Sequence, residues 1–498
     1  MIKILMARWI GSFLLNGLLI SAVALVFGLY CRSLNIHVNP FRAESGMWLQ
    51  MAFAPAAIQW ELIRLSLSSY NGHYLPIVFL AEFVQAKIFG TNELLWFWRQ
   101  MLIVGMFGIA CASFAYYIAR TMLPMAWAVA FAFGTCFFFL FQPYVLEMVT
   151  WPMMAMQFLA LTLTILSASM LVRYLDKPAT GRLVIFVLLG YASMHASGVG
   201  IAMSGAALFT GAGLLLIFNY AGAVSENDVK KGLIALAGAA ALTAIHGFLM
   251  VRGAPVPQAV GEPLSSLGIA IRFFALLMDS IYAGLRSIIW VNGGLISPRF
   301  DKQNVDACCG VGFLAISILI LVVLMRHYLK TNRKEYLYAF AVIAYPLTAL
   351  LIYIALIVVR LRSIAPDDAV LPYLIGGRYV IFPSLFMFIM GSAIWLMLFR
   401  TIGKFSTILP FFCSISAAIG AAIFVITDMP RIWPNTMVDH MSACNNVVQE
   451  VKIDTASGNP IKNRILADID QDYKPDLFQL QYLLNHELSC IKCVKITP

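Results

Sequence analysis

Long apolar runs recur along the whole sequence, and they constrain the fold more than any other feature. A helix needs about 20 apolar residues to cross a hydrocarbon core of about 30 Å. Hydrophobic residues make up 61% of the 498 residues and charged residues only 12%, which excludes a soluble enzyme, a coiled coil and a disordered chain. The sequence therefore predicts an all-α polytopic membrane protein with about 11 transmembrane helices. The predicted spans are 10–30, 97–119, 122–141, 151–172, 183–198, 199–219, 232–251, 309–325, 336–359, 379–399 and 406–426.

Basic residues cluster in the short connections between alternate spans. If the N-terminus is cytoplasmic, the inner segments hold 14 of the 34 Lys and Arg residues, as the positive-inside rule expects. They are Lys3, Arg8, Arg120, Arg173, Lys177, Arg182, Lys230, Lys231, Arg326, Lys330, Arg333, Lys334, Arg400 and Lys404. The net charge is +10. We expect the basic residues to set the topology and to contact membrane lipids, and not to bind nucleic acid. We expect a cytoplasmic N-terminus and a periplasmic C-terminus, in a bacterial inner membrane.

This topology divides the chain into a transmembrane domain, 1–426, and a small extracytoplasmic C-terminal region, 427–498. The transmembrane domain carries two large outer loops, 31–96 and 252–308. The C-terminal region contains Cys490-Ile-Lys-Cys493, which fits the CxxC pattern. Because nothing else indicates a thioredoxin-like fold, a structural disulfide is favoured over a redox or metal role, with Cys444 as an alternative partner for either cysteine.

Three outer segments have the character of helices that lie in the membrane interface. The segment 75–89 is apolar, but polar residues, including Glu82 and Lys87, interrupt it. Counting it as a span would also place every later basic cluster outside, so we predict an interfacial helix there. Segments 47–70 and 264–290 carry Trp and Tyr, which suit the headgroup level, and are predicted to be interfacial helices as well.

An ordered set of polar motifs begins in the first outer loop. Glu44 is followed 29 residues later by His73-Tyr-Leu-Pro-Ile77, and the interfacial segment ends with Ile88-Phe-Gly90. Arg99 then opens the second span, and Arg42 lies two residues before Glu44. Ionisable residues outside the topogenic clusters are the informative ones in a membrane protein, because they are expensive to bury without a function.

Two further motifs lie at the outer side. Pro143 and Glu147 fall in the turn after the third span, and Arg378-Tyr379 precede Pro383 at the mouth of the tenth. A carboxylate among apolar residues costs desolvation free energy unless a cation, a donor or water meets it. A guanidinium can clamp a phosphate, and a tyrosine ring can stack on a sugar. These residues are therefore candidates for a site.

In order, spacing and membrane side, the motifs resemble those of the GT-C superfamily of membrane glycosyltransferases. This superfamily includes protein O-mannosyltransferases and lipid A aminoarabinose transferases, which take sugars from polyprenyl-phosphate carriers. The resemblance covers roughly residues 10–175 and 370–385. The family's first-loop acid is usually Asp, whereas this loop contains no Asp and carries Glu44 at the matching position.

The resemblance implies inverting transfer of a sugar from a polyprenyl-phosphate carrier to an acceptor hydroxyl on a glycan, lipid or protein. It implies Glu44 as the catalytic base and Glu147 as a second acid that orients the acceptor or the sugar. Arg378, with Arg42 or Arg99, would stabilise the leaving phosphate. His73 and Tyr379 would line the cavity.

Other interpretations of the same residues remain open. No metal or other cofactor is expected, although Asp367-Asp368 could bind a divalent ion with Glu44; an exposed loop pair is the default. His195, among small residues, is expected to be a buried packing residue with satisfied nitrogens and not a ligand. Alternative functions are a transporter or lipid-linked sugar flippase, and a membrane scaffold without catalytic activity.

Overall fold

The apolar segments form helices in the computed structural model. The structure describes residues 2–33, 36, 38, 52, 59–60, 63–64, 74–90, 92–120, 123–140, 145, 148–252, 266–289, 303–361, 381–383, 385–387, 389–391 and 393–394. All regular elements among them are helical. The helices are α1 (Ile2–Ser33), α2 (Pro76–Phe89), α3 (Glu93–Ala119), α4 (Met125–Leu140), α5 (Ala155–Asp176), α6 (Thr180–Ala196), α7 (Val199–Tyr220), α8 (Glu226–Arg252), α9 (Ser266–Ile289), α10 (Gln303–Thr331) and α11 (Lys334–Leu361).

Seven described helices are long and apolar enough to cross a membrane, which confirms a helical membrane protein. The seven segments are Leu14–Ser33, Glu93–Ala119, Pro152–Asp176, Gly200–Tyr220, Glu226–Met250, Ala307–Thr331 and Lys334–Val358. The predicted spans 122–141 and 183–198 correspond to the shorter helices α4 and α6, of 16 and 17 residues. The count of eleven spans stays a prediction, because span 379–399 is described only in part and span 406–426 lies outside the described residues.

The predicted interfacial segment 75–89 forms α2, a helix of 14 residues. At about 1.5 Å per residue it is too short to cross the hydrocarbon core. Gly90 ends α2 with a φ of 54°, and its backbone N–H donates to the Ala86 carbonyl at 2.8 Å. Asn92 then caps α3 by accepting hydrogen bonds from the N–H groups of Leu94 and Leu95. This tight turn fixes the direction of α2 relative to α3.

Helix α3 packs against α1, α4 and α5. Phe107 of α3 is fully buried, and its ring centroid lies 6.3 Å from that of Phe139 and 5.5 Å from that of Phe158. Helices α5, α6, α7 and α8 form a second group, and α9, α10 and α11 a third, joined to the second by contacts of α11 with α7 and α5. The predicted helix at 264–290 is thus observed as α9, packed on α10 and α11.

The two ends of the bundle differ in their polar residues. Tyr338 of α11 donates to Asp176 at 2.5 Å, Tyr174 donates to the Asp228 carbonyl, and Tyr328 donates to the Ala221 carbonyl at 3.4 Å. These bonds bring the connections α5–α6, α7–α8 and α10–α11 together at one end, which we call the basic end because these connections carry the predicted basic clusters. The opposite end, where α2 lies, we call the loop end.

The predicted domain boundary between 1–426 and 427–498 lies outside the described residues. The same holds for Cys444, Cys490 and Cys493. Of the helix predicted at 47–70, the structure describes five residues.

Candidate functional site

A buried ion pair holds α2 against α3 at the loop end. A guanidinium Nη2 of Arg99 donates to a carboxylate oxygen of Glu82, and the two side chains are 8% and 0% exposed. The Arg99 guanidinium also lies 5.4 Å from the centroid of the Trp96 ring. Trp96 in turn donates its indole N–H to the Gly90 carbonyl at 2.9 Å. Removing both charges from water is costly, so this pairing offsets the burial of Glu82 in an apolar helix.

The same region of α3 holds the turn that precedes α5. Arg99 donates from Nη1 to the Pro152 carbonyl at 2.8 Å. The neighbouring Gln100 donates from its amide nitrogen to the carbonyls of Trp151, at 2.8 Å, and Val149, at 3.2 Å. Two consecutive side chains of α3 therefore bind three backbone carbonyls of this turn. Two of these carbonyls, those of Trp151 and Pro152, also accept from the backbone N–H groups of Met154 and Ala155. The turn at 149–152 is fixed to α3, and through Glu82 to α2.

A second cluster at the loop end consists of aromatic and imidazole rings, and we call it the histidine cluster: Tyr74, Tyr191, His195 and His246. The His195 and His246 rings are nearly perpendicular, with centroids 4.7 Å apart. Tyr74, two residues before α2, lies 6.1 Å from His195 and 5.5 Å from His246 between ring centroids. Tyr191 lies 4.6 Å from His195. The start of α2 thus meets the ends of α6 and α8.

The two histidines are buried, with exposures of 7% for His195 and 1% for His246. The prediction that His195 is buried is confirmed. However, among the described residues no group forms a hydrogen bond with either nitrogen of either ring, so the predicted satisfaction of its nitrogens is not found there. Rings of this kind present hydrogen-bonding capacity in an otherwise apolar setting.

Of the seven residues predicted for the site, the structure describes Arg99 alone. It lies at the loop end with its guanidinium directed to Glu82 and the Pro152 carbonyl. The other six lie outside the described residues, so their predicted roles stay predictions. They are Arg42, Glu44, His73, Glu147, Arg378 and Tyr379.

The part of the chain that the structure describes contains no cluster of three or more His, Cys, Asp or Glu side chains that could hold a metal ion. Asp367 and Asp368, considered above for a divalent ion, lie outside that part. The described cysteines, Cys31, Cys111, Cys136, Cys308 and Cys309, are free thiols.

Sequence reasoning missed two features of the site. The first is the partnership of Glu82 with Arg99, for which the interruption of an apolar run by one acid was the available signal. The second is His246, an isolated histidine in a long apolar helix. An ionisable residue within a membrane span indicates a functional site by itself. This signal could have identified His246 and α8 as part of the candidate site.

Comparison of the chain with protein-family models, with curated proteins and with solved structures finds no match.

Proposed function

We propose that the chain is an inverting glycosyltransferase that moves a sugar from a polyprenyl-phosphate carrier to an acceptor hydroxyl on the outer face of a bacterial inner membrane. The acceptor is a glycan, a lipid or a protein. In this proposal the N-terminus is cytoplasmic, the loop end faces the periplasm, and the C-terminal region is periplasmic.

The observation that supports this proposal is the polar network of Glu82, Arg99 and Gln100. It joins α2 and the first turns of α3 to the turn at 149–152, which lies 53 residues further along the chain, counted from Arg99 to Pro152. These segments carry or adjoin three of the motifs on which the resemblance to GT-C glycosyltransferases depends. His73 directly precedes the described Tyr74, and Glu147 lies two residues before Val149. A site that contains both His73 and Glu147 requires the segments next to them to be held together, and this network holds them together.

The chemistry assigns a role to each proposed residue. Glu44 accepts the proton of the acceptor hydroxyl while that oxygen forms its bond to the anomeric carbon of the sugar. The bond from that carbon to the phosphate oxygen breaks, and the electron pair leaves with the phosphate. Arg378 and Arg42 stabilise the charge that develops on this leaving group. Glu147 orients the acceptor or the sugar.

Arg99 has a different role in this proposal from the one that the resemblance alone suggested. Its guanidinium is buried and bonds to protein groups, so we propose that it positions the turn at 149–152. His73 and Tyr379 line the sugar cavity, next to the histidine cluster that Tyr74 joins. Uncharged imidazole and phenol groups can donate to and accept from sugar hydroxyls.

The test is a transfer assay with the full chain purified in nanodiscs. Polyprenyl-phosphate mannose, glucose and aminoarabinose serve as donors, and released polyprenyl phosphate is measured by mass spectrometry. Glu44→Gln removes the proposed base but keeps the size of the side chain. Glu61→Gln, in the same predicted loop, is the matched control.

We expect donor turnover by wild type and by Glu61→Gln, and a loss of about 100-fold or more in Glu44→Gln. Activity that survives in Glu44→Gln would move the base to another acid. No turnover of any donor, together with uptake of these donors or of their free sugars into proteoliposomes, would replace the proposal by transport.

A further inference from the structure

A cluster of arginines lies at the basic end, opposite the proposed transfer site. Tyr117, in the last turn of α3, is 8% exposed. The Arg120 guanidinium lies 5.2 Å from the centroid of its ring, and the Arg173 guanidinium of α5 lies 5.3 Å from it. Two cations therefore meet at one aromatic side chain, whose ring attracts both of them.

The nearby carboxylate does not neutralise these cations. Asp176 and Arg182 also interact electrostatically with Tyr117, but Asp176 accepts its hydrogen bond from Tyr338 at 2.5 Å. The described acids form no salt bridge with Arg120 or Arg173. Three guanidinium groups and one carboxylate thus act on the same tyrosine. The positive charges outnumber the negative one, and like charges repel each other unless an anion lies between them.

Several groups at this end have unused capacity to donate to an anion. Arg120 is exposed. The Nε of Arg173 is buried and has no hydrogen-bond partner among the described residues. Helix α6 begins nearby at Thr180, and its N-cap residue Ala179 provides no side-chain cap for the first N–H groups. The positive end of a helix and planar guanidinium forks are both suited to phosphate oxygens.

The surroundings favour a lipid over a free anion. Helices α3 and α5 each contain a membrane-crossing segment that ends at this cluster. Directly after Arg182, α6 exposes Val184, Ile185 and Leu188, at 52%, 45% and 60%. An apolar strip next to a basic pocket matches a molecule with a phosphate headgroup and acyl chains.

We propose that Arg120, Arg173 and the start of α6 bind the phosphodiester headgroup of an anionic phospholipid, whose acyl chains lie along Val184, Ile185 and Leu188. Arg182 supports the site from within the protein, because it donates to the carbonyls of Arg173 and, at 2.5 Å, of Lys177. This inference is independent of the proposed glycosyltransferase activity.

The test compares lipid retention by wild type and variants of the full chain. Protein from nanodiscs of phosphatidylcholine and phosphatidylglycerol is transferred to detergent, and bound lipids are counted by native mass spectrometry. The test variant is Arg120→Gln with Arg173→Gln. The matched control is Arg333→Gln with Lys334→Gln, which removes two exposed positive charges from the same end of the bundle.

We expect wild type and the control to retain one phosphatidylglycerol selectively. The test variant should bind it about 25-fold more weakly, since each basic residue contributes about fivefold. If the test variant does not fold, Arg120→Lys with Arg173→Lys provides the measurement: it keeps the charge, loses the planar forks and should show a smaller loss.

Three results would overturn the proposal. An equal loss in the control would show that net charge, and not this cluster, selects the lipid. Retention of phosphatidylcholine and phosphatidylglycerol in equal amounts would show that no selective site exists. In a third measurement, inorganic phosphate is added to the protein at millimolar concentration. If the phosphate displaces the bound lipid, the cluster is a site for free phosphate.

Discussion

Arg99 of α3 and Glu82 of α2 form an ion pair in which 8% and 0% of the two side chains is exposed. The pair couples a short helix that cannot cross the membrane to the first turns of one that can. A buried pair of this kind adds little net stability compared with apolar residues, but breaking it leaves a charge unpaired in an apolar setting.

Glu82→Gln is therefore expected to lower the free energy of unfolding by about 3 kcal/mol, because the Arg99 cation loses its partner. Thermal unfolding of both proteins in the same detergent measures the effect. Glu226→Gln is the matched control: Glu226 pairs with Lys230 at 3.0 Å on an exposed surface, and its loss should cost about 0.5 kcal/mol or less. Equal effects of the two substitutions would contradict the structural role of Glu82.

Gln100→Leu should loosen the turn at 149–152, because the Val149 carbonyl loses the Gln100 donor and the Trp151 carbonyl keeps only the Met154 N–H. A buried acceptor that loses its partner costs about 1–3 kcal/mol. Hydrogen–deuterium exchange of the amides in this turn and the first turn of α5 should accelerate about tenfold or more. Gln157→Leu serves as the comparison, since the side-chain amide oxygen of Gln157 has no hydrogen-bond partner in the described part of the chain. Unchanged exchange in Gln100→Leu would exclude a role of Gln100 in holding the turn.

The contact between α9 and α10 depends on a glycine. A Cβ atom at Gly310 would lie 2.2 Å from the Phe274 carbonyl oxygen, whereas a Cβ at Gly312, on the same helix, would meet nothing within 4 Å. Gly310→Ala should therefore separate the two helices and lower the unfolding temperature, and Gly312→Ala should not. Thermal unfolding of the two variants side by side is the measurement. A Gly310→Ala protein as stable as Gly312→Ala would mean that the helices do not approach so closely.

His246→Phe should leave the stability unchanged or raise it by about 1 kcal/mol, because the substitution keeps an aromatic ring and removes two buried nitrogens for which the described residues provide no partner. His327→Phe provides the reference, since that histidine is exposed and stacks on Tyr336 with ring centroids 5.5 Å apart. A loss of more than about 1 kcal/mol in His246→Phe would indicate that the protein itself satisfies the His246 nitrogens.

Much of the helical architecture could be predicted from the sequence. Apolar length alone identifies the long helices, and the segment 75–89, which its acid and the positive-inside rule set apart from the spans, forms the short helix α2. The helix ends were less accurate: α3 begins at Glu93 and not at 97, because Asn92 caps the helix four residues earlier.

The contacts between distant residues could not be predicted in the same way. Nothing in the pattern around Glu82 identifies Arg99 as its partner, since the pairing depends on how α2 turns back at Gly90. The same limit applies to Tyr74, His195 and His246, which belong to three separate segments and meet only through helix packing. Residue type indicated polar positions, and the fold determines which of them meet.

The proposed activity is tested most directly by product analysis of wild-type protein in proteoliposomes. A single polyprenyl-phosphate sugar is supplied with a hydroxyl acceptor from the bacterial envelope, and mass spectrometry measures free polyprenyl phosphate and glycosylated acceptor over time. We expect the two products to form in a one-to-one ratio and both to depend on the protein. If the donor stays intact for every sugar tested, or moves across the bilayer unchanged, the chain is not a glycosyltransferase of this class.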